Sequence, residues 1–298
     1  MATGGAAPGG AGAGGAATGG GATGGAASGG SGGVATGGSG TAGAPTGKHQ
    51  FSIQFDYRFD ANDFFADDVR KRAIEAAAKA WSSRIMDDFE QIPAGFPLRI
   101  RDLDMVDDTY EDFTLEEPID DLVIFVACSV GLPENVAGRT RRTAIFAGDL
   151  GVEFAQELAD RWSGPDQEPW TVAIAFSCVD DFFWFDPTPE TGDDVPVNAV
   201  DFISTATHEI GHALGIGGSD TYEALVNAEL TFFEGPKAMT VYGGPVPLVE
   251  NGGLHFAEIQ VDDLEPIMSQ GTARGMRHKP GRLDFAALED IGYEVSAP

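Results

Sequence analysis

Two runs, residues 122–128 (LVIFVAC) and 171–178 (TVAIAFSC), are apolar at nearly every position, and they limit the fold more than any other feature of the chain. A strand with one wet face alternates polar and apolar residues, whereas a strand covered on both faces does not. These runs therefore predict buried strands in a mainly parallel sheet with helices packed over it. Each run ends in a cysteine. If the two strands are parallel neighbours, Cys128 and Cys178 meet at one sheet edge and can form a disulfide; otherwise they are two buried thiols.

Other segments fill in the frame. Residues 51–59 (FSIQFDYRF) alternate like a strand. Over 66–89 the spacing turns helical, with Val69, Ile74, Ala77, Ala78, Trp81 and Ile85 in one apolar stripe. Residues 97–103 and 143–150 read as further strands. The order predicts a mixed α/β (α+β) fold in which a twisted, mainly parallel, five-stranded sheet carries a buried helix and is followed by a smaller irregular C-terminal subdomain.

That buried helix holds the chemistry. After the loop at 186–196 (DPTPETGDDVP), Asn198 is a good N-cap, residues 199–214 have helical apolar spacing, and Gly215 is a stop. His208 and His212 lie four residues apart, about 40° around one helix face, so both imidazoles can reach one metal ion. Glu209 sits between them in sequence (HEIGH). Neutral imidazoles suit zinc, a catalytic zinc site takes three protein ligands and a water, and Glu209 is placed to act as its general base. A third ligand is needed, and Gly218 occupies the place where the longer HExxHxxGxxH form has its last histidine. The remaining histidines are His49, His255 and His278. His49 lies at the start of the folded part and His278 in a basic loop, where a solvated side chain is expected. His255 follows a glycine pair and precedes IMSQGT, which makes it the first choice. Asp220 is the alternative third ligand, and Glu223 is a further oxygen donor.

Residues 1–47 are almost all Gly, Ala, Thr and Ser and carry no charged side chain. They offer little to bury, so a flexible tether is expected. It divides the chain into a tether (1–47), an N-terminal catalytic subdomain (48–217) and a C-terminal subdomain (218–298). No run has signal-peptide or membrane-spanning length. The rest is acidic: 47 Asp and Glu against 18 Lys and Arg give a formal charge of −29. Such a surface excludes nucleic acid as a partner and favours cations or basic substrates. Calcium is conceivable because residues 180–194 are rich in carboxylates, but their spacing is not that of an EF-hand and a solvated acidic loop is the expectation.

The stretches THEIGHALG, His255-Phe256-Ala257-Glu258, Ile267-Met268-Ser269 and LDFAALEDIGYEV together resemble the metzincin zinc metallopeptidases, most closely the bacterial leishmanolysin-like group. In that group a long insertion separates HExxH from a distant third histidine. The resemblance covers roughly residues 50–298, with its specific motifs in the last hundred. It implies zinc on His208, His212 and His255, Glu209 as base, and Met268 in a tight turn beneath the metal. It further implies that the third and fifth strands are adjacent and parallel, which would bring Cys128 and Cys178 together. The expected protein is a zinc-dependent endopeptidase acting as a monomer on protein or peptide substrates. The glycine-rich tail is similar to spacers that follow the lipidated cysteine of bacterial surface lipoproteins, implying a cell-surface or extracellular location and a missing leader. The competing class is a non-catalytic surface or binding module with a structural or decayed zinc site.

Overall fold

The structure is a computed structural model. It describes residues 49–298 apart from 102, 104–109, 143, 147–157, 159, 163–166, 191–193, 250–251, 272–273 and 298. The tether expected over 1–47 lies outside the described residues.

Four strands form the central sheet, in the order β1-β4-β7-β5. β1 (Ile53–Asp56), β4 (Leu122–Ser129) and β7 (Thr171–Ser177) run parallel, and β5 (Gly138–Arg141) is antiparallel to β7 at the edge. The unbroken apolar runs have a direct cause. Ile124 and Val126 of β4, with Val172, Ile174 and Phe176 of β7, face a core shared with the helices. The intervening Val123, Phe125, Ala127 and Ala173 face a second core on the opposite side. Every position is therefore buried, each large aliphatic or aromatic side chain contributing about 1.5–3 kcal/mol on leaving water. Because β4 and β7 are in register from Val123↔Thr171 to Ser129↔Ser177, their ends coincide. Cys128 and Cys178 are joined there as a disulfide.

The sheet has four strands among the described residues, not the expected five. β2 (Pro97–Arg101) leaves it to make a separate antiparallel sheet with β3 (Tyr110–Thr114) and β6 (Ala144–Phe146), in the order β3-β2-β6. The residue pattern explains this. Leu98 and Ile100 point into the second core, while Arg99 points outward to an ion pair with Asp112, the signature of a sheet with one wet face. The strand at the edge of the main sheet is β5, which lies just before the segment expected to be that strand.

Helix α1 (Asp68–Ser82) starts where the Asp67 side chain accepts the N–H of Val69 at 2.7 Å. It buries Ala73, Ile74, Ala77, Ala78 and Trp81. It ends well before residue 89, because Arg84 and Met86 exchange backbone hydrogen bonds with the C-terminal segment: Met86 N donates to Glu294 O and Ser296 N to Arg84 O. β8 (Phe183–Trp184) and β9 (Val200–Asp201) form a short parallel pair that leads into helix α2 (Phe202–Ala213). The N-cap of α2 is Asp201, whose side chain accepts from Ser204 N at 3.1 Å, and not Asn198, which adopts φ +72°. Helix α3 (Asp220–Glu223), β10 (Phe232–Phe233), helix α4 (Pro236–Tyr242), β11 (Val246–Pro247) and helix α5 (Arg282–Asp290) complete the chain. No described helix is long and apolar enough to cross a membrane.

Candidate metal centre

Of the twelve residues of α2, ten are buried and only His208 and His212 are half-exposed. The helix packs on the sheet and on α1, where the Trp81 indole N–H donates to Thr207 O at 2.8 Å. The histidine pair is thus the one part of α2 that emerges from packing. His255 comes from 43 residues downstream and closes on it: His212 Nε2 lies 3.1 Å from His208 Nε2 and 3.0 Å from His255 Nε2. The rings of His208 and His255 are nearly parallel at 19°, and His212 stands across both.

Each ligand candidate is held from behind. His208 Nδ1 faces Ile267 O at 2.7 Å and His212 Nδ1 faces Ile216 O at 2.7 Å. A carbonyl only accepts, so both Nδ1 atoms carry a hydrogen and the Nε2 atoms are the ones turned to the group. His255 is set by its neighbour Phe256, which is fully buried and donates its N–H to Met268 O at 3.0 Å. Burial, reinforced by the neighbouring histidines, holds His212 well below the ordinary imidazole value, and burial with His208 holds His255 down to about 4. The imidazoles of His212 and His255 are therefore neutral at pH 7. Three ring nitrogens that converge at about 3 Å are donors spaced as one metal ion requires. His208, His212 and His255 form a group that could hold one.

Met268 is fully buried beneath this group. A Cβ on Gly211 would come 2.3 Å from Met268 Sδ and 3.0 Å from Trp81, so the glycine inside HEIGH is what lets the methionine reach the helix. Asp284 of α5 fixes the turn above it. Its carboxylate accepts the N–H groups of Ile267 and Met268, each at 3.1 Å, and of Gly281 at 2.7 Å. The connection runs from Asp284 to the backbone of Ile267 and from its carbonyl to the His208 ring.

Glu209 borders a cavity together with His212 and His255. It is 6% exposed, and burial pushes its carboxyl above the usual range while His208, Thr140 and Arg139 act in the other direction. The Thr140 hydroxyl lies 2.7 Å from Glu209 Oε2 and 2.9 Å from its carbonyl oxygen. A Cβ on Gly138 would come 2.7 Å from Glu209 Cγ, so Gly138 leaves room for this side chain. Glu209, His212 and His255 open onto one cavity of about 330 Å³, whose other walls include Thr140, Trp162 and Ser219.

Several of these residues escaped the sequence reading. Gly138 and Thr140 are two apart on one strand, a period-two signal in a segment not read as a strand. Asp284 had a signal as well, being an acidic residue in the first turn of a helix entered through glycine. The other candidates fall elsewhere. Asp220 stands in the first turn of α3, exposed and 3.1 Å from Arg142, outside the three-histidine group. His278 is half-buried, and its Nε2 is buried without a hydrogen-bond partner, unlike the solvated side chain expected. His49, Asp88 and Asp121 make a second group with ligand-like spacing. Both oxygens of Asp121 already accept backbone N–H groups, from Ser52 and Phe89, so this cluster reads as a clasp on the start of β1. Among the described residues, the acidic stretch 180–194 forms no comparable group.

No protein-family model, curated protein or solved structure matches the chain.

Proposed function

We propose that this chain is a zinc-dependent endopeptidase built on the metzincin plan, nearest to the bacterial leishmanolysin-like group. The observation that carries the reading is the convergence of three imidazole Nε2 atoms, two of them on residues that share a cavity with the buried Glu209. Three nitrogen donors with no carboxylate among them suit zinc and not calcium. One ion with bonds of 2.0–2.1 Å holds its nitrogens about 3.3 Å apart, close to the 3.0 and 3.1 Å between these atoms. The metzincin plan is further supported by the element order, the antiparallel edge strand β5 and the parallel pair β4 and β7 that the disulfide joins.

A bound zinc ion supplies Lewis acidity, lowering the pKa of water to about 7 and polarising a substrate carbonyl. The protein does the rest. His208, His212 and His255 are the ligands, and the carbonyls of Ile267 and Ile216 fix the tautomers of the first two. Glu209 takes the proton from the attacking water and returns it to the leaving amine. Thr140 orients its carboxylate. The outer edge of β5 borders the cavity, so an extended peptide can add there as a further strand. The disulfide supports an oxidising location outside the cytosol.

The test is cleavage of casein and of a peptide library by the wild type and by Glu209→Gln, with zinc measured in both. The variant should keep its zinc and lose about 10²–10⁴-fold in kcat. Equal turnover in the two proteins overturns the catalytic reading. A chain that retains no zinc after mild purification overturns the metal site.

A further inference from the structure

With 47 acidic and 18 basic residues, the chain as a whole is expected to draw basic ligands. The cavity beside Glu209, His212 and His255 is lined differently. Three arginines, Arg139, Arg141 and Arg142, border it, and among the described residues Glu209 is the one carboxylate in its lining. All three come from β5 and the residue after it, so the strand that borders the cleft also carries its positive charge. Arg142 stacks over the Trp162 ring at 5.0 Å and pairs with Asp220, both partners being exposed. An exposed pair of this kind is weak and gives way to a better-placed carboxylate. Arg139 forms no ion pair among the described residues, and it acts electrostatically on Glu209.

We propose that the cleft selects acidic peptides, binding Asp or Glu side chains next to the bond that is cut through Arg139, Arg141 and Arg142. The claim rests on the peptidase reading and names its substrate class. Distance decides between the local and the global charge. At physiological ionic strength the screening length is about 8 Å, so carboxylates on the far surfaces are damped while the arginines of the strand that borders the cavity act at short range. Guanidinium groups also match carboxylates geometrically, with two parallel N–H donors to two oxygens.

The experiment uses three otherwise identical fluorogenic peptides carrying Glu, Gln or Lys on either side of the cleavable bond. For each, kcat/KM is measured on the zinc-loaded chain, and binding is followed by fluorescence anisotropy with zinc chelated. The Glu peptide should exceed the Lys peptide by about tenfold or more in both readouts, and rising salt should narrow the gap. Arg139→Gln should remove most of the preference, and Arg139→Lys should retain it. Arg99→Gln, which removes an equal charge from β2, should leave it unchanged. Equal or better handling of the Gln or Lys peptide overturns the proposal, as does a preference that survives in both Arg139→Gln and Arg141→Gln. If the Glu peptide binds best but nothing is cut, the acidic site stands and the peptidase reading falls. If peptides are cut with no acidic preference, the reverse holds.

Discussion

The ring of His208 donates its Nδ1 hydrogen to the carbonyl oxygen of Ile267 at 2.7 Å, and thereby ties helix α2 to a segment 59 residues away. Ile267 and Met268 are in turn held by Asp284. The aim of the His208 ring therefore depends on a carboxylate that never touches it.

Asp284→Ala should strip three N–H groups of their acceptor and let the 267–268 turn drift. Outer-shell partners of this type are worth about 10–100-fold in metal affinity. Competition with a chelating dye should show zinc bound that much more weakly, and unchanged affinity would disprove the link.

Gly211→Ala should force Met268 aside and cost about 1–3 kcal/mol, as overpacking does. Met268→Leu should be mild in both stability and activity. In a cycle of wild type, Gly211→Ala, Met268→Ala and the double variant, the two costs should not add, because the smaller side chain leaves room for the new methyl group. Urea unfolding of all four proteins measures this coupling, and strict additivity would rule out the contact as the cause.

Replacing Cys128 and Cys178 by serine should lower stability by about 2–4 kcal/mol, the usual range for a bond that closes a loop of this size. Their sequence separation is 50 residues. The loss should appear as a lower Tm, and reducing agent should shift the wild type but not the double variant.

Burial raises the Asp87 carboxyl to about 6, with Glu294 and Glu168 adding repulsion and the N–H of Glu294 opposing them. A folded-state pKa above the unfolded one means that the contribution is present below about pH 4 and lost as pH rises through 6. Asp87→Asn, which keeps an acceptor for Glu294, should therefore raise Tm at pH 8 and lose that advantage towards pH 4. A gain that does not vary with pH would contradict this.

Much of the frame is legible in one dimension. Residues 122–128 and 171–178 announce buried strands because burial on both faces removes the polar positions. The histidine pair is legible because a helix repeats every 3.6 residues and brings positions four apart onto one face. The start of α2 was misplaced, since Asn198 and Asp201 are both capping residues and only the β8–β9 pairing shows which one is used. The edge strand was missed because Gly138, Arg139, Thr140 and Arg141 are not apolar. Its identity comes from pairing with β7, not from its own composition.

The sequence by itself determined the buried strands, the helix bearing His208 and His212, and the need for a third ligand. Those are local consequences of residue spacing. Only the tertiary structure decided that His255 and not Asp220 closes on the pair, that Gly138 and Thr140 shelter Glu209, and that three arginines border the cleft of an acidic chain. Such relationships join residues tens of positions apart. They depend on how loops return and which strands pair, and a linear pattern of side chains does not encode those distances locally.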